Sequence, residues 1–120
     1  MISRNAECEL SALVDVKDKS VLGIDKYDVP FFSSVEELVA SGLDIDVVNI
    51  ASPNGFHAEQ ALACLDARKH VVIEKPIALS KQDAEKVIFK ALHVHRHVFA
   101  VMQNRYSPPS QWIKDLVESG

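Results

Sequence analysis

The sequence predicts a doubly wound α/β fold built on a parallel sheet, and three observations carry that prediction. Short apolar runs rich in β-branched residues occur at 10–14, 47–51, 71–73 and 98–102, with a weaker one at 29–32, each of strand length. Between them lie segments with apolar residues spaced three and four apart, and alternation of strands and helices builds a sheet with helical crossovers. The runs at 47–51 and 71–73 are apolar on both faces, as expected of strands covered by helices on each side.

Each element has its own warrant. The first run ends at Asp15, after which polar residues take over. Ser34, with Glu37 three residues on, is expected to cap a helix carrying Leu38 and Val39 and ended by Gly42. Ser52 and Pro53 are expected to open the next helix, which carries Ala58, Ala61, Leu62 and Leu65. Ser80 with Asp83 reads as a capping box before a helix whose face runs through Ala84, Val87, Ile88, Ala91 and Leu92. Trp112, Ile113 and Leu116 lie at helical spacing and are expected to face another domain.

Composition narrows the function classes. A chain of 120 residues, 48% hydrophobic and 25% charged, predicts one globular domain rather than a disordered segment. Its net charge is -4 with lysines and arginines scattered, so no nucleic-acid footprint appears. No apolar run approaches the ~20 residues that span a bilayer, and no signal-peptide pattern opens the chain; the expected location is cytoplasmic. Cys8 and Cys64 suit neither a disulfide framework nor a zinc site and read as reduced packing residues. His93, His95 and His97 alternate but span a helix end and a strand start, where basic groups complement the helix dipole, so no metal site is expected. Phe99, Tyr106 and Trp112 read as core or interface packing rather than a stacking platform.

In doubly wound sheets ligands bind beyond the carboxyl ends of the strands. That rule selects four places: Asp15; Ser52, Pro53 and Asn54; Glu74, Lys75 and Pro76; and Gln103, Asn104 and Arg105. Asp15 can accept hydrogen bonds from ribose hydroxyls, and equally fits a solvated strand-end carboxylate. Asn54 and His57 begin a helix whose free amides favour polar ligand groups, or are a cap and a surface histidine. Glu74 and Lys75 follow a wholly apolar strand, where a lysine in a partly desolvated cleft can move protons near neutrality, or form a structural turn.

The runs Val-Val-Asn-Ile-Ala-Ser-Pro-Asn-Gly-Phe-His at 47–57, Val-Val-Ile-Glu-Lys-Pro at 71–76 and Gln-Asn-Arg-Tyr-Ser-Pro at 103–108 resemble the glucose–fructose oxidoreductase, inositol dehydrogenase and MocA family. The likeness covers essentially the whole chain. It implies a Rossmann-like nucleotide-binding domain that uses NAD or NADP to exchange hydride with a sugar or cyclic polyol, nucleotide-linked sugars included. It places Asp15 on the adenosine ribose, Ser52, Pro53, Asn54 and His57 along the cofactor, and Glu74 near the nicotinamide ribose. It makes Lys75 the catalytic-site lysine, with Arg105 on cofactor or substrate. Asp15 favours NAD, because its carboxylate repels a 2′-phosphate, an effect that Lys17 partly offsets.

The departures from the family pattern are as informative. Glycine occurs only at 23, 42, 55 and 120, so the glycine-rich phosphate turn is absent, and residues 1–5 read as the end of the helix that follows it. The expectation is a Rossmann domain over 1–120 with its first βα unit largely missing and its substrate domain absent, inactive by itself and associated as a homodimer or larger homo-oligomer. The rival readings are a ligand sensor without catalysis and a structural assembly module, since fold alone does not decide function.

Overall fold

Residues 5–120 are described by the computed structural model; of the helix end expected at 1–5, all but Asn5 lies outside them. Two parallel sheets form. Strand β1 (Leu13–Val14) pairs with β2 (Phe31–Phe32), and β3 (Val47–Ile50), β4 (His70–Ile73) and β5 (Val98–Ala100) pair in that order. Helix α1 (Val35–Ala40) follows β2, α2 (His57–Asp66) joins β3 to β4, α3 (Lys81–Val94) joins β4 to β5, and α4 (Pro108–Ser119) closes the chain. The β-α-β crossovers are those that a parallel sheet demands, and the predicted fold class holds.

Local chemistry sets the helix ends. The Ser34 hydroxyl accepts from the Glu37 amide at 3.1 Å. The Glu37 carboxylate reaches one residue further back than a capping box requires, accepting from the amide and hydroxyl of Ser33 at 2.9 Å each, and these bonds hold it below its ordinary pKa. At α3 the Ser80 hydroxyl accepts from the Asp83 amide at 3.1 Å and donates to the Asp83 carboxylate at 2.7 Å. Lys86 also donates to that carboxylate, and together these contacts lower the Asp83 pKa. Gly42, just past α1, takes a φ of +70°, a conformation that glycine adopts without strain.

The start of α2 corrects the sequence reading. Ser52 and Pro53 do not open it: a 3-10 turn over Asn54–Phe56 intervenes, and no side chain caps the helix. The Ser52 hydroxyl donates instead to Gln60 Oε1 at 2.6 Å.

One face of the larger sheet makes the core. Ile50, Val71 and Ile73 meet Ala61, Cys64 and Leu65 of α2 and Val87, Ala91 and Val94 of α3. Strand alternation sends Val47 and Phe99 to the other face, where they are 48% and 54% exposed. Cover on both faces, expected from the apolar pattern, is therefore not supplied by the described residues. The α3 face is also rotated from the expected one. Val87, Ala91 and Val94 are buried, whereas Ile88, Phe89 and Leu92 are exposed because nothing among the described residues packs on that stripe. Tyr106 and Trp112 are exposed, as is the Ile113, Leu116 and Val117 face of α4, so of core and interface packing the described residues exclude the core.

The global dimensions agree with these open faces. The radius of gyration is 16.6 Å, against about 14 Å for a compact domain of this length. The accessible surface is 8836 Å², against about 6,500 Å² for a folded monomer of this mass.

The two cysteines differ. Cys64 is fully buried as expected, and burial, with a smaller contribution from the Glu36 charge, pushes its thiol from 9.0 up to about 11. Cys8 is exposed, so it is not the packing residue that its apolar neighbours suggested.

Two outcomes follow from this packing. Ile73→Ala should destabilise the chain by roughly 2–5 kcal/mol in a denaturant titration, while Ile88→Ala, at an exposed site, should change stability by about 0.5 kcal/mol or less. A thiol reagent at neutral pH should modify Cys8 rapidly and Cys64 only on unfolding. Because the folded pKa of Cys64 is raised, its contribution to stability is complete below about pH 9 and should fall as the pH climbs towards 11, read as a falling Tm that Cys64→Ala abolishes.

Candidate functional site

Three of the four polar segments meet at one edge. The registers Ile50 to Ile73 and Ile73 to Ala100 align the carboxyl ends of β3, β4 and β5. The segments carrying Ser52, Pro53 and Asn54, then Glu74 and Lys75, then Asn104 and Arg105, therefore leave the larger sheet on the same side. The amides of Glu74 and Val101 continue the ladder to Ile50 O and Ile73 O at 2.9 Å each, so backbone pairing fixes where these segments begin. Asp15 leaves the carboxyl end of β1 in the smaller sheet, with its amide bonded to Phe32 O at 3.1 Å.

The side chains differ in how far they are committed. Asp15 is half-buried and accepts from the Lys17 amide through Oδ1 at 2.8 Å. Its other oxygen has no hydrogen bond among the described residues, so it can accept from a neutral donor such as a hydroxyl. Glu74 is half-buried and accepts from the Lys75 amide through Oε2 at 3.2 Å, which again leaves one oxygen free among the described residues. Pro53, Asn54, Lys75 and Arg105 are exposed. Lys75 precedes Pro76 across a cis peptide bond, and its exposure means that these residues do not provide the desolvated cleft expected around it. Arg105 sits in a 3-10 turn (Gln103–Tyr106) that α4 braces, with Gln111 Nε2 donating to Arg105 O at 2.7 Å.

His57 is the largest departure. Expected along the cofactor, or else on the surface, it is fully buried at the start of α2. Its Nδ1 lies 2.7 Å from Pro76 O and its Nε2 2.7 Å from Ser52 O. Both nitrogens are occupied, and neither can reach a ligand at the sheet edge. Gln60, which the sequence reading missed, holds the Ser52 hydroxyl from one turn further along α2. Its position three residues after His57, on the same helix face, was the available signal.

The three histidines at 93, 95 and 97 stand on different structures. His93 is in the last turn of α3, His95 is its left-handed C-cap, and His97 precedes β5 and stacks on His70 with centroids 5.2 Å apart. Among the described residues no group of three or more histidine, cysteine or carboxylate side chains could hold a metal ion.

Comparison with known proteins places this geometry among relatives. Residues 1–102 match the model of an oxidoreductase family with an NAD-binding Rossmann fold. A 4-carboxy-2-hydroxymuconate-6-semialdehyde dehydrogenase from a Sphingobium species is 38% identical over 77 residues, which is 64% of this chain and 24% of that protein. The WlbA dehydrogenase of Bordetella pertussis, solved in complex with NADH and UDP-GlcNAcA, is 28% identical and superposes with a TM-score of 0.89 over 99% of this chain and 35% of its own. A scyllo-inositol dehydrogenase of Lactobacillus casei, solved with NAD(H) and scyllo-inositol, is also 28% identical, with a TM-score of 0.85 over 99% of this chain and 36% of its own. The chain thus spans roughly a quarter to a third of the length of such relatives.

Proposed function

This chain belongs to the oxidoreductase family with an NAD-binding Rossmann fold, and from that premise we propose that it forms the cofactor-binding part of an enzyme that exchanges hydride between NAD and a sugar or cyclic polyol. The observation that carries this reading is the shared carboxyl edge of β3, β4 and β5, which collects Asn54, Glu74, Lys75 and Arg105, the place where open parallel sheets bind ligands.

The donor set fits a dinucleotide in part. Asp15 is assigned to the adenosine ribose, from whose neighbouring hydroxyls its free oxygen can accept hydrogen bonds. Ser52, Pro53 and Asn54 lie along the cofactor, and the free carboxylate oxygen of Glu74 accepts from the nicotinamide ribose. When bound, the nicotinamide ring supplies hydride acceptance or donation. Lys75 orients the substrate hydroxyl and takes or returns its proton, and Arg105 offers a fixed cationic fork to cofactor or substrate. A glycine-rich phosphate turn is not among these residues: of the four glycines, Gly23, Gly42, Gly55 and Gly120, only Gly55 lies between a strand of the larger sheet and a helix, and it stands alone there. The 120 residues alone should therefore bind NAD weakly and turn nothing over.

Self-association belongs to the same reading. In the described residues β3 pairs only with β4, and β1 only with β2, so each presents an edge of unpaired backbone groups, and the larger sheet also exposes the Val47 and Phe99 face. Such groups cost on the order of 1–3 kcal/mol each when buried without partners, and exposed edges recruit other strands. A homodimer or larger homo-oligomer joined through strands or helix faces answers both demands.

Adding NADH to the isotope-labelled chain should shift the amide signals of Asp15, Asn54, Glu74, Lys75 and Arg105, with a Kd of about a millimolar, equivalent to about -4 kcal/mol. Signals moving only on other elements, or none moving, would refute the reading. NADPH should bind at least tenfold more weakly, about 1.4 kcal/mol, and Asp15→Asn should narrow that gap. In light scattering the chain should exceed its monomer mass of 13.3 kDa; a monodisperse monomer with a cooperative melt would overturn the association.

A further inference from the structure

The fully buried imidazole of His57 contacts two groups of one kind. Pro76 O is 2.7 Å from Nδ1 and Ser52 O is 2.7 Å from Nε2. Both are backbone carbonyls, which only accept. A neutral imidazole carries one N–H and one lone pair, so it satisfies one of these oxygens and turns its lone pair on the other at 2.7 Å. With no exposed surface on the residue, solvent cannot separate that pair.

We infer that His57 is a positioning residue held as an imidazolium, donating one hydrogen bond to Ser52 O and one to Pro76 O. Burial opposes the charge, as does the positive end of α2 on which the ring sits. Two short charge-assisted bonds, each in a low-dielectric setting where such bonds strengthen, oppose that cost. The alternative, two oxygens competing for one proton, leaves a buried acceptor facing a lone pair.

The consequence lies in what the two carbonyls belong to. Ser52 begins the segment after β3, and Pro76 directly follows Lys75 after β4. One ring therefore ties both segments to the first turn of α2, and Gln60 secures the Ser52 side chain from the next turn. Glu74 and Lys75 are held on one side of the ring and Ser52 on the other, with no side chain of the clamp entering the site. The functional consequence rests on the cofactor reading above; the protonation state does not.

Long-range proton–nitrogen correlation spectra of the labelled 120-residue chain at neutral pH test the charge. Both His57 ring nitrogens should carry a slowly exchanging proton, each with a scalar coupling across its hydrogen bond, to the carbonyl carbon of Ser52 or of Pro76. One nitrogen without a proton would overturn the inference, whatever the cofactor does. His57→Gln replaces the two opposed ring nitrogens by one amide nitrogen and tests the positioning. It should melt cooperatively at a lower Tm and lose most of the NADH-induced shift at Glu74 and Lys75, while the Asp15 shift persists. Wild-type shifts at Lys75 in that variant would overturn the positioning role. An absence of NADH shifts in the unmutated chain would instead count against the cofactor site and leave the ring measurement to decide the clamp. If the variant does not fold, the two ring protons and their carbonyl couplings in the unmutated chain still establish or overturn the imidazolium.

Discussion

A buried ring between two carbonyls, His57 between Ser52 and Pro76, is the contact on which the arrangement of the candidate site depends. Backbone pairing fixes where β3 and β4 end, but beyond Ile50 and Ile73 the ladder soon stops and the segments could diverge. Pro76 cannot extend it, lacking an amide proton. The clamp replaces the missing ladder with side-chain contacts from α2, a helix already packed on both strands through Ala61, Cys64 and Leu65. Core packing and site geometry are thereby mechanically linked: what moves α2 moves Ser52 and the turn bearing Lys75 together.

The same sheet explains why the chain is open. Its closed face is dense, with Leu65, Val71, Ile73 and Val87 wholly withdrawn from solvent. Its other face, the outer edges of β1 and β3 and the apolar stripes of α3 and α4 have no cover among the described residues. The surface excess over a compact monomer measures that lack of cover. Exposed patches of this kind are interaction surfaces in soluble proteins, and the relatives are about three times as long as this chain.

Asp15, Glu74 and Lys75 also show what these residues do and do not prepare. The two carboxylates each keep one oxygen uncommitted among the described residues, which lets them receive hydroxyl donors without a desolvated, unpaired charge. Lys75 stands exposed, so in the proposed reading the low-dielectric surroundings that sharpen proton transfer come from bound cofactor and substrate or from other protein.

Much of this was legible in the sequence, because it follows from periodicity and local chemistry. The positions of β3, β4 and β5, the caps at Ser34 and Ser80, the left-handed glycine at 42 and the carboxyl-end placement of Asn54, Glu74, Lys75 and Arg105 require only strand length, turn chemistry and chain order. The Ser-Pro-Asn and Glu-Lys-Pro segments also carried the family. Tertiary structure decided what depends on distant neighbours. Which stripe of α3 is buried was ambiguous, since Val87 and Ile88 are both apolar and only the partner surface chooses between them. His57 looked like a surface or ligand-facing residue because the acceptor that captures its Nδ1 is a backbone carbonyl nineteen residues away; a backbone oxygen has no identity in sequence, and only the folded crossover brings it to the ring.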